Sequence, residues 1–83
     1  MQLPTIHTNG TAREVLIDAL CQANLALEQA YSALKETAPN GRDYYLQKAT
    51  AFQLAVAEHN SRLRQINAVK DEIEAMALVI SES

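Results

Sequence analysis

One spacing constrains this chain more than any other feature. Apolar residues recur at intervals of four and three along two stretches, and the rhythm breaks once, at Ala38-Pro39-Asn40-Gly41. That period belongs to the α-helix, whose buried stripe repeats every 3.6 residues, and strands alternate at two. In the first stretch the stripe is Leu16, Leu20, Ala23, Leu27, Ala30 and Leu34. Beside it run Ala12, Ala19, Ala26 and Ala33, each seven residues from the next, a smooth strip that lets another helix approach closely. Ile17 and Tyr31 border the opposite edge, and Cys21 and Leu25 fall on the side that a simple hairpin leaves wet. In the second stretch the series is Phe52, Val56, His59, Leu63, Ile66, Lys70, Ile73, Ala77 and Ile80, widened by Val69 and Met76.

The break is chemically clear. A residue before proline resists helical geometry, and Asn-Gly suits a turn. Two long helices joined there predict an all-α antiparallel two-helix hairpin. Residues 1–10, with Pro4, Asn9 and Gly10, predict an extended arm, and residues 11–83 a single helical domain. Thr11 and Glu14 form a capping box that would open the first helix at 11 and carry it to 37. The second helix starts either at Asp43 or at Thr50, where Thr50 and Gln53 make another such box. Helices over 11–37 and 50–80 would be roughly 40 and 46 Å long, a good antiparallel match. The later start is favoured, leaving 38–49 as a long connection of the kind that often carries function.

Composition adds a second constraint. Apolar residues make up 48% of the 83 and aromatics only 5%, with many of the apolar positions taken by alanine. Alanine favours helix but buries little surface, so a core made by one hairpin is thin. The expected solution is a homodimer forming a four-helix bundle, with Leu16, Leu20, Leu27, Leu34, Phe52, Val56, Leu63, Ile66, Ile73 and Ile80 as core or dimer contacts.

Charge and chemistry argue against several function classes. A net charge of −3 and a pI near 5.2 offer no footprint for nucleic acid. Only the stretch 40–49, with Arg42, Asp43 and Lys48, is net positive. No apolar run is long enough to cross a bilayer, and the start of the chain lacks a signal-peptide pattern. Cys21 has no partner for an intrachain disulfide, which fits a cytoplasmic location. Neither histidine follows a glutamate by three, as in di-iron bundles: His59 follows Val56 and His7 follows Pro4. His59 reads instead as a polar residue that fixes pairing register, and Lys70 as one that extends its ammonium to water. Cys21 lies within a helix with no histidine near it, Asp71, Glu72 and Glu74 read as a solvated face, and Gly10 and Gly41 stand alone. The expectation is a protein that is not an enzyme and holds no cofactor or metal.

The connection is the most unusual segment. Asn40-Gly41-Arg42-Asp43-Tyr44-Tyr45, followed by Ala51-Phe52, Ala57-Glu58-His59 and Arg62, resembles a group of short helical proteins of phages, prophages and other mobile elements. The resemblance covers residues 30–80 and implies such an origin and a helical hairpin, but no activity. Tyr44 and Tyr45 either fold back to plug the open end, with Arg42 and Asp43 capping helix ends, or belong to a recognition loop, since tyrosine and arginine are common interface anchors. Arg42, Tyr44, Tyr45, Lys48 and the outlying Leu25 are the candidate partner-binding residues for an unidentified host or phage protein. The alternative is a small anionic or nucleotide-like ligand held by Arg42 and Lys48.

Overall fold

The computed structural model describes residues 1–83. The chain forms α1 (Arg13–Lys35), a single 3-10 turn (Gly41–Asp43) and α2 (Thr50–Ser81), with no strand. The two helices pack against each other along one seam. No helix is long and apolar enough to cross a membrane.

The pairing is antiparallel. Asn24 Nδ2 donates to Glu74 Oε1 across the seam at 3.1 Å, and the Arg13 guanidinium donates to the Ser83 carbonyl at the far end. Counting along both helices from these pairs, Ile80 comes level with Ile17 and Lys35 with Arg62. The helices therefore differ in reach. α1, at 23 residues, is about 34 Å long and α2, at 32, about 48 Å. The expected match in length is not met, because α1 stops at Lys35 and starts at Arg13. The first three turns of α2 project beyond α1, and residues 36–49 are the chain that covers them.

This mismatch corrects the expected core. Phe52, read as a core or dimer contact, is 37% exposed in the single chain, because no part of α1 reaches its level. Leu16, Leu20, Leu27, Leu34, Val56, Leu63, Ile66 and Ile73 are all half-buried, and among the apolar residues only Ile80 is fully buried, at 2% exposure. Two helices alone cannot surround a side chain on all sides. On α1 the seam also takes Ile17, Asn24 and Tyr31, leaving Ala23 and Ala30 exposed. Long side chains reach across the groove between helices and alanine does not. Tyr31 is partly roofed by Lys35, whose Nζ sits 5.9 Å from the ring centre.

The helix ends differ from the expected caps. Ala12, not Thr11, is the residue before α1, in an extended conformation and without a side-chain cap. The carbonyl of Ala12 accepts from the Val15 and Leu16 amides at 3.1 and 3.2 Å. Starting there makes Arg13 the first helical residue, where its guanidinium reaches the end of α2. Thr50 is likewise already inside α2, preceded by Ala49 in helical geometry, so neither capping box forms. Thr37 closes α1 instead: its hydroxyl donates to the Leu34 carbonyl at 2.7 Å, just before Pro39. Ser81 and Ser83 do the same at the end of α2, donating to the Leu78 and Val79 carbonyls at 2.7 and 3.0 Å. These hydroxyls add to carbonyls that also accept backbone amides, Leu34 from Thr37 and Leu78 and Val79 from Glu82.

The N-terminal arm runs without regular structure to a turn closed by the Gly10 amide on the His7 carbonyl, 3.1 Å. Its apolar residues Leu3 and Ile6 are half-buried.

Candidate interaction surface at the closed end of the hairpin

The connection is built of successive tight turns. The Asn40 side chain accepts from the Arg42 amide at 3.0 Å, and its carbonyl accepts from the Asp43 amide at 3.0 Å. The Gly41 carbonyl then takes the Tyr44 amide, Tyr44 the Gln47 amide and Lys48 the Ala51 amide, at 3.0, 3.0 and 2.9 Å. Asparagine is suited to this because its carboxamide mimics the backbone acceptor of a turn. Asn40 caps this 3-10 turn, and neither Arg42 nor Asp43 caps a helix end, since neither side chain makes a hydrogen bond or ion pair. Gly41 carries no positive φ, and a Cβ there would meet nothing within 4 Å.

These turns send the two tyrosines in different directions. Tyr44 is half-buried, with its ring centre 6.0 Å from that of Phe52 and the planes inclined at 46°. That tilted geometry is favourable for aromatic pairs, and it ties the loop to the projecting turns of α2. Tyr45 turns outward and is 76% exposed. Next to it Leu46 is 85% exposed, and on α2 Leu54 is 61% exposed. Arg42 and Lys48 are exposed as well. The closed end thus presents outward-facing apolar side chains with two unpaired cations, on a backbone held by its own hydrogen bonds.

Leu25 is not part of this surface. It is 51% exposed but lies on α1 one residue from Asn24, level with Ile73 and several turns from the loop. Leu46 and Leu54 were missed by sequence periodicity. A loop has no helical period, and Leu54 sits on a flank of α2 away from the apolar series. The signal for Leu46 was the uninterrupted apolar run Tyr44-Tyr45-Leu46 inside a turn-rich segment.

One groove, of about 250 Å³, lies elsewhere, between Leu20, Cys21 and Asn24 of α1 and Ile73, Glu74, Ala77 and Leu78 of α2. Its polar element is the Asn24–Glu74 hydrogen bond, which leaves Asn24 Oδ1 buried and without a partner. Arg42 and Lys48 do not line it. Nowhere do three His, Cys, Asp or Glu side chains converge in a way that could hold a metal ion.

His59 also takes a different place from the one expected. It is 6% exposed, yet it lies past the level where α1 ends and makes no side-chain hydrogen bond. The polar hydrogen bond between the paired helices is Asn24 with Glu74. Compared with known families, curated proteins and solved structures, the chain matches none of them.

Proposed function

We propose that this chain is a small, non-enzymatic protein-interaction module that works as a homodimer, a four-helix bundle, and binds another protein through the closed end of the hairpin. The observation that carries the reading is the outward pair Tyr45 and Leu46, at 76 and 85% exposure on an ordered, hydrogen-bonded connection. Leaving such side chains in water forgoes the free energy their burial would release, and clusters of this kind mark contact surfaces. Arg42 and Lys48 at the rim supply charge that would select an acidic partner. The residue pattern over 40–62 supports a phage or mobile-element origin, with a host or phage protein as the partner. The lone cysteine supports a reducing, cytoplasmic setting.

The test is affinity capture from the source cells with the intact chain and with Tyr45→Ala combined with Leu46→Ser. Both positions lie outside the helices and the seam, so helical circular dichroism should be unchanged. The protein retained by the wild type should fall at least about tenfold in yield with the variant, as expected when anchors near the centre of an interface are truncated. Equal capture by both chains would show that this end is not the contact.

A further inference from the structure

The unpartnered surface of the hairpin is unequal on its two flanks, and the difference points to how copies of the chain meet. Viewed down α1 at 100° per residue, every charged side chain beyond the seam residue Arg13 falls on one flank: Glu14, Asp18, Glu28 and Lys35. The opposite flank, from Val15 through Ala19, Ala23, Ala26 and Ala30 to Ala33, carries no charge over about 27 Å of helix. All six are exposed, Val15 by 58%. The adjoining flank of α2 continues the surface with Val69 and Val79, 44 and 43% exposed. Of the charges there, Glu58 and Arg62 offset each other as an i,i+4 pair at 4.0 Å, and Glu72, exposed between Val69 and Val79, has no ion-pair partner.

The area left open is large. A compact folded monomer of 9.1 kDa exposes about 4,900 Å², and this chain exposes 6269 Å². Its radius of gyration is 18.6 Å, where about 12 Å is usual for this length. The surplus is about 1,400 Å² per chain, spread over the arm, the closed end and both flanks; burying a little over half of it on each of two chains would make an interface of about 1,600 Å² in total, the size of a standard stable interface.

We infer that a second copy covers this charge-free flank, α1 lying antiparallel on its counterpart about a two-fold axis near Ala23 and Ala26. This rests on the dimeric reading above and names its face. Alanine at these positions lets the two helix axes approach to about 8 Å, and a two-fold axis makes the flank its own complement. The charged flank with Leu25 then stays in water, and the closed end of each hairpin remains free.

Sedimentation equilibrium of the full chain tests both levels. The wild type is expected at twice 9.1 kDa. Ala26→Glu places two carboxylates at the axis and should raise the dissociation constant at least about 100-fold, with helical circular dichroism retained. Leu25→Glu, on the other flank, should leave the dimer intact. As a second measurement, Ala23→Cys with Ala26→Cys in a Cys21→Ser background should form an intermolecular disulfide on oxidation, and Leu25→Cys in that background should not. Loss of the dimer with Leu25→Glu, or a dimer untouched by Ala26→Glu and uncrosslinked by the paired cysteines, overturns the assigned face while the dimeric reading stands. A wild type sedimenting at 9.1 kDa at all concentrations overturns both.

Discussion

Gly41 shows how a residue's meaning depends on its backbone rather than its identity. Asn-Gly pairs commonly mark turns that need a positive φ, where glycine is almost obligatory. Here Gly41 opens a 3-10 turn with no positive φ, and the space around its Cα is open. Its flexibility then only enlarges the unfolded ensemble. Gly41→Ala should therefore stabilise the fold by about 0.4–1 kcal/mol, seen as a higher denaturation midpoint at unchanged slope. A destabilised variant would mean that the turn is held differently from what the Asn40 hydrogen bonds describe. Tyr44 and Tyr45 make the same point, since identical neighbours take opposite roles because one faces Phe52 and the other faces water.

At the level of helices, the ends are more informative than the middles. The last turn of α2 has no basic residue of its own and is followed by Glu82, so its partial negative charge lacks a compensating cation within the helix. Arg13 supplies it from the other helix through its bond to the Ser83 carbonyl. Arg13→Ala should lower stability by about 1 kcal/mol, with the loss reduced at high salt, and Arg13→Lys should recover part of it. Denaturant melts at two ionic strengths would read this directly, and no change in the Ala variant would remove the cross-helix bond from the account.

Taken as a body of 62 × 20 × 17 Å, the molecule is a rod, and only His59 and Ile80 in it are buried. A rod of this kind draws little stability from its own seam, so association and folding should be linked. For the proposed dimer, raising the chain concentration 100-fold should stabilise the folded state by about 2.7 kcal/mol, moving the thermal midpoint upward. Thermal scans across that range test it, since a monomer's midpoint would not move.

The helical period, the Pro39 break and the antiparallel hairpin were legible in the sequence because they follow from local chemistry and a single repeating pattern. So was most of the α2 series, in which Leu63, Ile66, Ile73 and Ile80 do line the seam. What only the tertiary structure decided was rotation and reach. Asn24 and Tyr31 enter the seam where Ala23 and Ala30 were expected, because which side chains span the gap depends on the partner helix's distance and angle. Phe52 came out half-open and Leu46 wholly so, because the overhang of α2 depends on where α1 stops. A periodic sequence marks a helix face to within one neighbouring position. The placement of one helix against another is a balance of long-range contacts, and no local pattern encodes that balance.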